Sequence, residues 1–135
     1  MIVVDASVAI AWCLNDESSA YADGVLERVV AEGASAPSHW PLEVANAILN
    51  AERRGRIGSD EVAGVSGLLG RLEIEIVPVE LSTAMWSVVD LARQHELSAY
   101  DAAYLGLAQF RRVPLATLDD RLRQACASAG VELVN

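Results

Sequence analysis

Lysine is missing from this 135-residue chain. All ten basic residues are arginines, set against 19 acidic residues for a formal net charge of −9. Lysine is the usual point-charge partner of a phosphate. Its absence disfavours a phospho-accepting receiver domain and a phosphatase with an aspartyl nucleophile. Aromatic residues reach only 5%, so a core must be built from Val, Leu, Ile and Ala. Cysteine and histidine are equally scarce. Cys13 and Cys126 sit among apolar neighbours without C-x-x-C spacing and read as small buried hydrophobes of a reducing compartment. His39 and His95 read as isolated, neither having the i, i+4 histidine partner of a helical zinc motif. No apolar run reaches membrane-spanning length before a charge or glycine interrupts it. The first residues lack a basic n-region, and Asp5 breaks the apolar stretch a signal peptide needs. A cytoplasmic protein with no membrane contact is expected. No repeat, low-complexity tract or Pro/Gly/Ser-rich linker divides the chain, and 53% hydrophobic content excludes disorder. Residues 1–135 are expected to form a single domain.

A basic footprint is also lacking, which by itself argues against nucleic-acid binding. The objection weakens if clustered carboxylates are neutralised by metal, or if local arginine patches matter more than the total. The same acidic balance suits a basic protein partner.

What is present is an alternation of short β-rich runs and helical periods. Met1–Val4 reads as a buried strand, and Asp5 caps a helix through Trp12. A second helix covers roughly Ser18 to Glu32 and stops at Gly33, with a brief strand at Ala34–Ala36. Pro41 fits the first turn of a third helix running to about Arg54, with Trp40, Val44, Ala47, Ile48 and Ala51 as its stripe. Ser59 opens a fourth through Leu69. Ile74–Val79 is β-rich, Ser82 starts a helix ending near His95, and Ser98 caps the next. Val113–Thr117 reads as a strand, and a final helix closes at Gly130 before Val131–Val134. Strands alternating with helices imply a parallel sheet covered on both faces. Ligands in such sheets gather beyond the strand carboxyl ends at the topological switch point. Asp5 and Asp119 both follow a strand closely and are expected to face that crevice.

Four carboxylates then stand out. Asp5 can be a helix cap or a ligand, with Ser7 available to hold it. Asp101 lies in the first turn of its helix, where the dipole favours an anion, but Leu105 and Ala108 continue its face and Ser98 already caps. Glu43 shares its helix side with Asn46 and Asn50. That side reads either as solvated, which the residues alone favour, or as a crevice lining on which Asn46 orients Glu43. Asp119 is preferred over Asp120 as a site residue because Thr117 and Asp119 lie on related sides of an extended segment. Buried carboxylates need a positive partner. With no lysine present, a hard divalent cation is the simplest one. Mg²⁺ or Mn²⁺ takes oxygen ligands, keeps several waters and can promote attack of water on a phosphodiester.

These segments resemble the PIN domain, and within it the VapC-type toxins of bacterial toxin–antitoxin pairs. The resemblance covers nearly the whole chain. It rests on Val3-Val4-Asp5-Ala6-Ser7, on Pro41-Leu42-Glu43-Val44-Ala45-Asn46-Ala47, on Leu97-Ser98-Ala99-Tyr100-Asp101-Ala102-Ala103-Tyr104-Leu105, and on Pro114-Leu115-Ala116-Thr117-Leu118-Asp119. It implies a three-layer α/β/α sandwich with a short, mainly parallel sheet of four to five strands, and a Mg²⁺- or Mn²⁺-dependent endoribonuclease. Carried over, Asp5, Glu43, Asp101 and Asp119 match the acidic quartet, which reverses the residue-only reading of Glu43. An RNA substrate, a homodimer and a cognate antitoxin with a basic C-terminal tail are implied as well. Arg53, Arg54 and Arg56, clustered at the end of the third helix, are expected to grip RNA phosphates, although cations at a helix C-terminus are also ordinary dipole complements. The rival reading is a catalytically idle module that docks a basic partner through its carboxylates.

Overall fold

A computed structural model describes Met1–Asn135. Strand β1 (Ile2–Val4) is buried at every residue, so both faces of the sheet are covered at this point. Asp5 is extended and caps α1 (Ala6–Cys13), accepting from the Val8 amide at 3.2 Å. A single 3₁₀ turn at Asn15–Glu17 leads to Ser19, which caps α2 (Ala20–Glu32). Gly33 ends α2 at φ +75°, where a Cβ would come within 3.4 Å of the Glu73 carbonyl oxygen. Strand β2 (Ala34–Pro37) is wholly buried. Helix α3 (Trp40–Arg53) carries Pro41 in its first turn and buries Trp40, Val44, Ile48 and Ala51. Helix α4 (Ser59–Gly70) buries no residue fully, and β3 (Ile74–Val77) is a partly exposed edge strand.

The expected helix from Ser82 to His95 is three pieces: α5 (Leu81–Thr83), a π-helical segment Ala84–Val88, and α6 (Val89–His95). Ser98 caps α7 (Ala99–Arg111), which buries Ala102, Ala103, Tyr104, Leu105 and Ala108 and packs on β1, β2 and β4. Strand β4 (Leu115–Ala116) is shorter than the Val113–Thr117 run. Asp119 caps α8 (Asp120–Ala129), which Gly130 closes at φ +71°. Beyond it, Leu133 makes one parallel bridge to Leu115 rather than a full strand.

The sheet order is β3-β2-β1-β4, all parallel. The chain walks outward from β1 to β3 and returns to β4 on the other side of β1. The strand order therefore reverses between β1 and β4. The Asp5 amide donates to the Ala116 carbonyl at 3.2 Å across this junction. One apolar cluster extends from Ile2 to Val134 and joins both sides of the sheet, which gives the α/β/α sandwich. No helix is long and apolar enough to cross a membrane.

Candidate active site

The reversal puts the residues after β1 and β4 side by side, and hydrogen bonds join them. Asp5 is 4% exposed. Its Oδ1 accepts from Ser7 Oγ at 2.6 Å as well as from the Val8 amide, and its Oδ2 accepts from Thr117 Oγ1. Thr117 is fully buried, and its Oγ1 accepts from the Asp119 amide at 3.0 Å. Ser7 Oγ accepts from the Leu118 amide at 2.9 Å. Ser7 and Thr117 thus bind the loop after β4 to the start of α1 through the Asp5 carboxyl. Burial dominates these hydrogen bonds and pushes the Asp5 carboxyl up to about 6, with Asp101 adding a smaller repulsion.

Asp101 is half-buried in the first turn of α7. Burial raises its carboxyl above the usual range, and Asp119 and Glu43 repel its charge further. Ser98 Oγ takes the Asp101 backbone amide, so the side chain is free of capping duty. Asp119 has a double position. Its Oδ2 caps α8 through the Leu122 amide at 2.9 Å while its charge faces Asp101. Asp120 is exposed in the first turn of α8, outside this group.

Glu43 comes from the first turn of α3. Its Oε1 accepts from the Tyr104 hydroxyl at 2.7 Å and lies 3.1 Å from His39 Nε2. Burial pulls its carboxyl upward, but the bonds from His39 and Tyr104 prevail and hold it below the usual range. Burial, followed by the bond to Glu43, drives the Tyr104 phenol far above its ordinary value, so it stays a neutral donor. Two expectations are corrected here. Asn46 is exposed and makes no side-chain hydrogen bond, because its place on α3 turns it to solvent; it does not orient Glu43. His39 is not isolated: it pairs with Glu43 four residues on. The i, i+4 spacing of His39 and Glu43 is the signal that marks His39 in the sequence, whereas Tyr104 meets its partner across 61 residues and carries no local signal.

No arginine pairs with these carboxylates. Arg53 and Arg54 are exposed at the far end of α3, about 15 Å along the helix axis from Glu43. Arg56 donates to both Asp16 and Glu17 at 2.9 Å. Arg123 donates to the Thr117 carbonyl at 2.8 Å and stacks over Tyr21. Neither Asp5, Asp101 nor Asp119 forms an ion pair.

Asp5, Glu43, Asp101 and Asp119 therefore share one electrostatic neighbourhood, yet no three acidic or histidine side chains close around one point. Magnesium needs no such cage, since it keeps much of its water and binds through one or two carboxylates. The donors are hard oxygens, one of them deeply buried with no basic side chain paired to it, and they fit a divalent ion chemically. A cavity of about 700 Å³ opens in a groove lined by Val77, Val79, Val88, Leu91 and Phe110 together with Asp90 and Gln94. None of Asp5, Glu43, Asp101 and Asp119 lines it, so the switch point is the better candidate for the chemistry.

Comparison with known proteins identifies the family and the fold. The family model described as PIN domain matches residues 2–127. Ribonuclease VapC12 of Mycobacterium tuberculosis is 33% identical over 135 residues, covering 99% of each chain. Ribonuclease VapC9 of the same organism is 32% identical over 123 residues, covering 90% of this chain and 88% of that one. Among solved structures, Mycobacterium tuberculosis VapC20, a toxin that cleaves the sarcin–ricin loop, superposes with a TM-score of 0.68 at 18% identity, over 100% of this chain and 99% of that one.

Proposed function

The chain belongs to the PIN-domain family, in its VapC-type branch, and from that premise we propose that it is a Mg²⁺- or Mn²⁺-dependent endoribonuclease, the toxin of a VapBC-like pair. The single observation carrying this reading is Asp5, buried at the switch point with no basic side chain paired to it and another carboxylate, Asp101, near enough to repel it. Asp5, Glu43, Asp101 and Asp119 hold the ion, directly or through water. When bound, the ion makes water a stronger nucleophile and offsets charge building on the phosphodiester. The chain's own residues supply the frame. Ser7 and Thr117 fix the two Asp5 oxygens, Asp119 is held by its capping bond, and His39 and Tyr104 hold the Glu43 carboxyl below the usual range. No side chain is placed as a separate general base.

The partner is an antitoxin whose basic C-terminal tail lies across these carboxylates; support comes from a cluster of negative charge that no arginine of this chain neutralises. Two copies pair in this reading. Its support is exposed apolar surface: Leu81, Met85 and Trp86 stand out on one helical stretch, and Phe110 on the wall of the apolar groove.

Purified protein with total RNA and Mg²⁺ or Mn²⁺ tests the reading, beside EDTA and an Asp5→Asn variant purified identically. Cleavage that is lost in both controls is expected. Equal cleavage by wild type and D5N would dismiss the site. Ion binding without cleavage of any RNA would favour the idle docking module.

A further inference from the structure

The partners that orient Glu43 come from α7 and from the turn before α3. Tyr104 is 1% exposed, and its hydroxyl donates to Glu43 Oε1 at 2.7 Å. A buried phenol must find an acceptor, and a phenylalanine would fill this core position without that demand. His39 Nε2 lies 3.1 Å from the same Oε1 and 3.1 Å from the Tyr100 carbonyl oxygen. Both neighbours are acceptors, so Nε2 carries the hydrogen. The His39 ring meets Tyr104 edge-on with centroids 4.9 Å apart, which fixes the two donors relative to each other. The Tyr104 hydroxyl donates to Oε1, His39 Nε2 bonds the Tyr100 carbonyl while contacting the same Oε1, and Oε2 receives no protein hydrogen bond.

From this arrangement we infer that Tyr104 and His39 are positioning residues that pin Glu43 Oε1 and present Oε2 to a divalent cation. The inference rests on the reading of Glu43 as an ion ligand. It acts through Glu43 alone, because Tyr104 lies beneath the surface and has no route to RNA.

The test is a double-mutant cycle read by Mn²⁺ binding, in calorimetry or by the loss of the free-ion paramagnetic resonance signal. Tyr104→Phe is expected to weaken Mn²⁺ binding about tenfold. It should lower kcat for RNA cleavage by a similar factor with KM unchanged. In a Glu43→Gln background, adding Tyr104→Phe should change Mn²⁺ affinity less than twofold. Equal losses in the two backgrounds, or unchanged affinity in Y104F alone, would overturn the inference and leave Tyr104 a packing residue. For His39, a Gln that keeps a donor should retain affinity and a Leu should not; unchanged affinity in His39→Leu would remove His39 from the pair. Wild-type affinity and cleavage in E43Q would discard Glu43 as a ligand, and the inference with it. That pattern differs from an impaired E43Q that shows no coupling to Y104F.

Discussion

At the scale of single residues, burial and charge make opposite demands on Asp5. The carboxyl sits at about 6 in the folded chain against 3.8 for a fully solvated carboxyl, as in the unfolded chain. Between those values the folded protein holds a proton that the unfolded chain has released, so stability falls as pH rises. In metal-free protein the contribution is fully present below about pH 4. It declines by about 3 kcal/mol as pH passes through 6. Urea unfolding in EDTA across pH 4 to 7 should show this slope in wild type relative to Asp5→Asn, which has no proton to lose; matching slopes would contradict the account. Asp119 separates from Asp120 by a different route. Asparagine caps about as well as aspartate, so Asp119→Asn should keep stability within about 0.5 kcal/mol while cleavage falls by at least about tenfold. Asp120→Asn, on an exposed residue, should leave both unchanged. Thermal melts and cleavage rates of the two variants decide between them.

At the scale of elements, what the sequence makes legible is local. Asp5, Ser98 and Gly130 act at the helix ends where their chemistry places them, and Ile2-Val3-Val4 is the buried central strand. What it hides depends on partners far along the chain. The β4 run shortens to two residues because pairing to β1 is possible only at Val3–Leu115 and Val4–Ala116. The π-helical segment Ala84–Val88 leaves the periodicity of its neighbours and brings Val88 onto Ala102 and Ala103. The Tyr104–Glu43 bond spans 61 residues, so no local pattern announces it, whereas the polar side of α3 wrongly nominates Asn46. Helix α3 also sets a scale for RNA. Glu43 and Arg53 are separated by about 15 Å of helix, room for a few nucleotides between the carboxylates and the exposed Arg53 and Arg54. If both contact phosphates, Arg53→Ala with Arg54→Ala should weaken RNA binding and lower the slope of log K against log salt by up to about 1.4 for a single strand. Unchanged affinity and slope would exclude them. Arg56 is held by Asp16 and Glu17 and should contribute less.

At the scale of the whole molecule, the chain carries an excess of nine negative charges, and under the proposed function a divalent ion is a ligand of the fold as well as of the reaction. An ion that binds only the folded chain stabilises it by RT ln(1 + [L]/Kd), about 2.7 kcal/mol at one hundred times Kd. The entropy of unfolding for a chain of this length is about 0.28 kcal/mol per kelvin. The melting temperature should therefore rise by about 10 °C when saturating Mn²⁺ replaces EDTA. The rise should be largest near neutral pH, where Asp5 must ionise and its burial costs most without a cation. At pH 4, protons already relieve that strain, and they compete with the ion for the same oxygens. Scanning calorimetry with Mn²⁺ and with EDTA, at pH 4 and pH 7.5, measures all four melting temperatures. Asp5→Asn should raise the metal-free value at pH 7.5 and lose most of the response to Mn²⁺. A rise that is equal at both pH values, or that persists in full in D5N, would place the stabilising ion on the acidic surface at large and away from the switch point of the sheet.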